Sequence, residues 1–344
     1  NLSKNRLKYA FKKYITFLRI KRKQKEAGKV DITHNISGLF RGNSLRLMHD
    51  ERSLNINSEQ FNIFKFEAKE GPANILRLIG ISVINATNLN YLINEENYTN
   101  FVNEITSGYH RENPYHTDLH AAYMGQTIFL YNKRAKFKST IGADDLDLLS
   151  IYISAIIHDY GHPGLNNNYL ISTMDELAIT YNDKSVLENY HVSQAFKIMK
   201  EKPECNVLDT FTGSDYKMLR KNIITCVLVT DMTIHNKMMR KFNLRINSYE
   251  IEEGKNIQNI FKGLDSANHY NLKLEFLTLI IHTADISNPT KPLEVYKEWA
   301  KRCVNEFFNQ GDLEKKYGLP VSFNCDRNTV SIPKSQLGFI DFIV

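Results

Sequence analysis

A chain of 344 residues, 42% hydrophobic and 24% charged, can bury one large core or two modest ones without help from disulfides. Its four cysteines, Cys205, Cys226, Cys303 and Cys325, are widely spaced and form no CxxC pair. That suggests neither a thiolate zinc site nor a disulfide framework, and it fits a reducing, intracellular compartment. The net charge of +6 is local: residues 1–30 hold eleven Lys or Arg against the single acid Glu26, a +10 that leaves the remainder at about −4 and argues against nucleic acid as the main ligand. No run approaches the roughly 18 apolar residues of a membrane span, and a start at Asn1 without Met reads as a piece of a longer protein whose upstream part could still carry one.

In the basic segment, Leu7, Phe11, Tyr14, Ile15 and Leu18 recur at steps of three and four, which predicts an amphipathic helix with lysines around its other faces. A helical linker, a surface helix and a membrane-surface helix all fit; the linker is the simplest. Residues 27–57 show no sustained period, so 1–57 is expected to be a basic helix and linker, with the folded domain at 58–344. From Phe61 on, helix follows helix with Gly, Pro and Asn at the breaks, and no alternating strands intervene. An all-α domain is predicted. Pro72 suits the first turn of a helix running from Asn74 to Tyr91, and Asp144–Ile157 is apolar enough to be buried. Further helices are expected over Ser214–Phe242, Leu272–Thr283 and Leu293–Asn309, with a last one opening near Ser335.

Three clusters carry chemistry. In Asn113-Pro114-Tyr115-His116-Thr117-Asp118-Leu119-His120 the two histidines lie four apart, which would put them on one helix face. Many helices carry such a pair without a metal. His158-Asp159-Tyr160-Gly161-His162-Pro163-Gly164 closes a strongly apolar run, so its polar pair is buried and must be paired or bound. A capping Asp beside a buried neutral His would satisfy the same residues. His282-Thr283-Ala284-Asp285 again ends an apolar helix. The repetition favours metal, because three helices that each deliver His and carboxylate groups at one end assemble a mixed nitrogen and oxygen site for divalent cations.

These motifs, together with Ser287-Asn288-Pro289-Thr290-Lys291-Pro292, Thr230-Asp231-Met232 and Ser335-Gln336-Leu337-Gly338-Phe339, resemble class I 3',5'-cyclic nucleotide phosphodiesterases in order and spacing from about Phe61 to Val344. The resemblance implies that His120, His158, Asp159 and Asp285 bind a tight metal, Zn²⁺, while Asp159 also reaches a second ion, Mg²⁺ or Mn²⁺. Such a pair suits water activation and charge neutralisation at phosphorus. By the same resemblance His116 is the general acid for the leaving 3'-oxygen, Glu188 is its carboxylate partner, and His162, His191 and Thr230 support metal waters and ligand orientation. Gln336 would bond the purine and Phe339 stack on it, with Tyr115, Asn288, Tyr296, Trp299 and Ala300 at other pocket positions.

Tyr190 and Tyr160 depart from residues common in the family but remove no metal ligand. The family continues past the position of Val344 into a further helix, so the C-terminal end is expected to be truncated. The expected partner is a cyclic nucleotide. A membrane, reached through the N-terminal region or upstream segments, and a second copy of the chain are also compatible. Two other readings compete, an HD-type metal phosphohydrolase acting on another phosphoester and a non-catalytic cyclic-nucleotide-binding regulator. Gln336 and Phe339 speak against the first, and the complete set of metal and acid residues against the second.

Overall fold

A computed structural model describes residues 56–248, 260–261 and 263–343, and every regular element among them is a helix, as the pattern of breakers predicted. The chain divides into two units, Ile56–Gln336 and a second made of Asn1–Asn55 with Leu337–Val344. The predicted basic helix lies outside the described residues. The larger unit contains α1 (Ile63–Glu70), α2 (Ile75–Ala86), α3 (Glu95–Ser107), α4 (Asp118–Ala135), α5 (Phe137–Thr140), α6 (Asp145–Ile157), α7 (Asn167–Ser172) and α8 (Glu176–Thr180). It continues with α9 (Val186–Glu201), α10 (Gly213–Leu228), α11 (His235–Ser248), α12 (Ser266–Asp285) and α13 (Leu293–Lys316), and α14 (Ile332–Ile343) begins in it. No helix among the described residues is long and apolar enough to cross a membrane.

The core is built around α6. Its start is fixed by a reciprocal cap in which Asp144 accepts from the Asp147 N–H and Asp147 from the Asp144 N–H, both at 2.9 Å. Beyond that cap it is buried on all sides, Ser150 and Ser154 donating to the carbonyls of Leu146 and Ser150, and it packs against α2, α4 and α10. Leu149, Ile151, Ile153 and Ile157 are fully buried. Each contributes roughly 1.5–3 kcal/mol. That burial pins the C-terminal end of α6, where His158 follows.

Several helices differ from expectation, and the differences matter for the site. The helix predicted to reach Tyr91 stops at Ala86, and Asn88 takes a left-handed φ of 56°. The one predicted over Ser214–Phe242 is two helices. Val229–Asp231 leave α10, and the Asp231 carboxylate accepts from Thr233 N (2.8 Å) to cap the short turn Met232–Ile234 before α11. A side chain makes this break without Gly or Pro, so hydrophobic periodicity runs straight through it. α12 continues past Thr283 to end on Asp285, and α13 continues past Asn309 to Lys316.

Candidate metal centre and active site

Three helix ends bring His120, His158, Asp159 and Asp285 together. His120 comes from the first turn of α4, His158 and Asp159 from the end of α6, and Asp285 is the last residue of α12. One ligand atom from each lies within 4.8 Å of the others. His120 Nε2 is 2.9 Å from Asp285 Oδ1 and 3.5 Å from Asp159 Oδ2. His158 Nε2 is 2.9 Å from Asp159 Oδ2 and 3.4 Å from Asp285 Oδ1. His158 Nδ1 donates to the Ala155 carbonyl (2.9 Å), which leaves Nε2 as the atom offered to the cluster.

The donor set fits a divalent cation. His158 Nε2 and Asp159 Oδ2 are buried and neither makes a hydrogen bond, although they are 2.9 Å apart. Two buried polar atoms left without a hydrogen-bond partner side by side are expensive in an interior, and a cation bound between them would satisfy both. The carboxylates draw positive charge there: against the cost of burial, Asp159 and then Asp285 raise His158 well above the ordinary imidazole range. Burial opposes ionisation of Asp159 and Asp285 too. The surrounding imidazoles nevertheless hold both well below the usual carboxylate range. Two imidazole nitrogens and two ionised carboxylates form the mixed set that Zn²⁺ and similar ions take.

His116 stands in the turn before α4, so it does not share a helix face with His120 as the spacing predicted. Glu306, in the middle of α13, holds it at three points. One carboxylate oxygen accepts the backbone N–H groups of Tyr115 (2.9 Å) and His116 (3.0 Å), and the other is in close contact with His116 Nδ1. Burial opposes charge on both partners. Glu306, helped by Asp159 and Asp285, still raises His116 to about 9, and His116 in turn lowers Glu306 to about 2. This corrects the sequence reading that paired His116 with Glu188. The Glu188 carboxylate instead accepts from Asn167 Nδ2, at 3.0 and 3.3 Å. Burial, with Asp231 and Asp159 nearby, raises Glu188 to about 7.

The supporting residues are placed as follows. The His162 ring stacks on His116, with centroids 3.9 Å apart and planes 16° from parallel, and its Nδ1 accepts from Gly164 N (3.0 Å). Burial, then the charge on His116, lowers its pKa far below the usual value, so it is neutral with its proton on Nε2. His191 Nδ1 donates to the Tyr160 carbonyl (2.6 Å), and its Nε2 lies 4.0 Å from Asp159 Oδ1; burial lowers it to about 4. The Thr230 hydroxyl donates to the Val227 carbonyl (2.8 Å) at the break between α10 and α11. Asp231 beside it accepts from Ser185 Oγ (2.7 Å).

Of the residues expected around a purine, Asn288 donates to the Tyr115 hydroxyl (2.6 Å), and the Tyr115 ring lies 4.7 Å from that of His120. Trp299 is wholly buried among Phe64, Tyr115, Tyr123 and His120, so it backs the site instead of presenting a face to a ligand. Ala300 is buried beside it in sequence. Tyr296 donates to Gln336 Oε1 (3.0 Å). Phe339 belongs to the other unit. The two unusual tyrosines are accommodated by glycines: a Cβ on Gly108 would meet the Tyr160 ring at 2.1 Å, and one on Gly161 would meet Tyr190 at 3.0 Å.

Sequence reasoning missed Glu306 and Asn167. A signal for Glu306 was present: Trp299, Cys303, Glu306, Gln310 and Glu314 recur at steps of three and four, so these polar residues share a face with a tryptophan. Asn167 offered none, since an asparagine opening a short helix reads as a cap.

The fold and site define an all-α domain built around an imidazole and carboxylate cluster whose donor set suits a divalent metal. The sequence matches the family described as 3'5'-cyclic nucleotide phosphodiesterase over residues 115–344, and the chain belongs to that family. A Caenorhabditis elegans protein described as a probable 3',5'-cyclic phosphodiesterase is 40% identical over 246 residues, 71% of this chain and 34% of that protein. A Mus musculus protein described as a high affinity cAMP-specific and IBMX-insensitive 3',5'-cyclic phosphodiesterase is 39% identical over 246 residues, 70% of this chain and 29% of that one. The chain thus spans about a third of the length of these relatives. The crystal structure of the phosphodiesterase domain of Salpingoeca rosetta rhodopsin phosphodiesterase superposes with a TM-score of 0.72 at 29% identity, covering 85% of this chain and 83% of that one.

Proposed function

We propose that the protein hydrolyses 3',5'-cyclic nucleotides, cAMP or cGMP or both, to nucleoside 5'-monophosphates and so ends a cyclic nucleotide signal. The observation that carries this reading is the His116 imidazole held by Glu306 beside the His120, His158, Asp159 and Asp285 cluster. His120, His158, Asp159 and Asp285 would hold a tight cation, Zn²⁺, and Asp159 would share a second, Mg²⁺ or Mn²⁺, with Glu188, His191 and Thr230 as the residues that would support its waters. When bound, the two ions supply Lewis acidity at the phosphoryl group and an activated water.

The chain's own residues do the rest. Ring opening expels a 3'-alkoxide, which needs a proton as the P–O bond breaks, and His116, kept protonated at neutral pH by Glu306, delivers it from Nε2. Neutral His162 stacks behind that ring and fixes its plane. Gln336, oriented by the Tyr296 hydroxyl, would hydrogen-bond the purine, with Asn288 and Tyr115 lining the same pocket. The rhodopsin-linked relative supports a membrane tether outside the described residues, which would place the domain at a cytoplasmic face. A homodimer belongs to the same proposal. The test is steady-state hydrolysis of cAMP and cGMP side by side, before and after chelation and with Mg²⁺ or Mn²⁺ restored. Turnover that falls with chelator and returns with metal is expected; folded, metal-replete protein inert towards both nucleotides would overturn the reading.

A further inference from the structure

One face of α13 carries three buried polar side chains four residues apart, Glu306, Gln310 and Glu314. Glu306 grips the turn that bears His116. One turn further on, Gln310 Oε1 accepts the backbone N–H of Asn166 (2.9 Å), while Gln310 Nε2 donates to Glu314 Oε1 (2.8 Å) and Ser322 Oγ (3.3 Å). Glu314 also accepts from the Ser322 N–H (2.7 Å). A carboxylate only accepts, so the Gln310 amide has one satisfactory orientation, with its oxygen towards Asn166.

Asn166 caps α7, accepting from Tyr169 N (2.8 Å). The next residue clasps the start of α9 with both ends of its amide: Asn167 Oδ1 accepts from Leu187 N (2.9 Å), and Nδ2 donates to both Glu188 oxygens. A six-residue helix has little stability of its own. Its register therefore depends on outside anchors, and among the described residues Gln310 is the side chain that ties its first peptide to α13.

We propose that Gln310 is a positioning residue for Glu188, acting through the Asn166-Asn167 turn to keep that carboxylate where the weaker, second cation needs it. The inference rests on the reading of Glu188 given above. Without the Gln310 amide, the Asn166 N–H and the Glu314 carboxylate each lose a partner, and α7 is released from α13 while the ligands of the tight metal are untouched.

The experiment compares Gln310→Met, Asn167→Ala, their double variant and Glu188→Gln in the whole chain. It reads tight-metal content, Mn²⁺ affinity by electron paramagnetic resonance, kcat and KM for cAMP, and Tm. Gln310→Met is expected to keep its tight metal and KM but to lose roughly tenfold in Mn²⁺ affinity and in kcat. Asn167→Ala should do the same, and the double variant should be no worse than either single. Wild-type Mn²⁺ affinity and kcat in Gln310→Met, alongside a loss in Glu188→Gln, would overturn the positioning role alone. Glu188→Gln that binds Mn²⁺ and turns over as wild type would overturn the reading of Glu188 and this inference together. Fully additive losses in the double variant would also overturn it, because Gln310 would then not act through Asn167. If Gln310→Met does not fold, Ser322→Ala loosens the same ladder from its outer end and should produce the same losses in reduced degree; wild-type values there count against the proposal.

Discussion

Replacing Glu306 with Gln keeps an oxygen that can accept from the N–H groups of Tyr115 and His116, so the turn before α4 should stay in place. What changes is the charge facing His116 Nδ1. An amide NH₂ at that point donates to Nδ1 and so favours the neutral ring. His116 lies at about 9 instead of 6.5, a preference for the charged form worth roughly 3 kcal/mol. Burial works against that charge and Glu306 is the largest contribution in its favour, so the variant's His116 should fall back towards 6.5. A general acid must carry its proton, so activity persists below its pKa and is lost as pH rises through it. At pH 8 the protonated fraction would drop about 2- to 10-fold for a fall of one to two units and about 30-fold for a full return to 6.5. The assay is kcat and kcat/KM for cAMP from pH 6 to 10 at saturating Mg²⁺, with Tm as a control. The expected result is an alkaline limb moved down by one to two pH units with near-normal rates at pH 6, about the size a lost charge-assisted contact allows. A limb that stays near 9 while the rate falls equally at every pH would refute the charge argument and leave Glu306 only an architectural role.

Other perturbations follow from the same contacts. Gly108→Ala forces a Cβ into the Tyr160 ring. It should cost about 1–3 kcal/mol in denaturant unfolding, and Tyr160→Val in the same chain should recover most of it; a double variant as unstable as the single would show that Tyr160 is not the obstacle. Glu188 titrates at about 7, so proton and cation should compete for it. The Mg²⁺ concentration for half-maximal activity should rise as pH falls from 8 to 6 and be nearly flat in Glu188→Gln, whereas a flat wild-type requirement would remove Glu188 from the second cation's surroundings. Tyr296→Phe frees the Gln336 amide to turn over. The ratio of kcat/KM for cAMP to that for cGMP should then move towards one, and an unchanged ratio would mean that something else orients the amide.

Much of the centre was legible because its residues are local in sequence. His158 and Asp159 are adjacent at the end of an apolar run whose burial follows from composition alone, and Asp285 ends a second such run. Helix ends at Ala86 and at Val229–Asp231 were misread for a different reason. A side-chain cap or a left-handed asparagine stops a helix at one residue, whereas periodicity averages over ten or more. His116 was assigned to a helix on spacing alone, and spacing does not tell the first turn of a helix from the loop ahead of it.

The sequence by itself determined the all-α class, the helix that carries each candidate ligand and the chemical kinds gathered at the centre, because buried helices write their period into the chain and buried polar residues stand out against it. Only the tertiary structure decided partnership. Glu306 lies 190 residues from His116 and Gln310 lies 144 from Asn166. A carboxylate acts on whichever charge is nearest in space, and burial amplifies that choice. Which acid would keep His116 charged, and which would instead turn towards Asn167, was therefore settled by how α13 and α9 pack against the rest of the bundle.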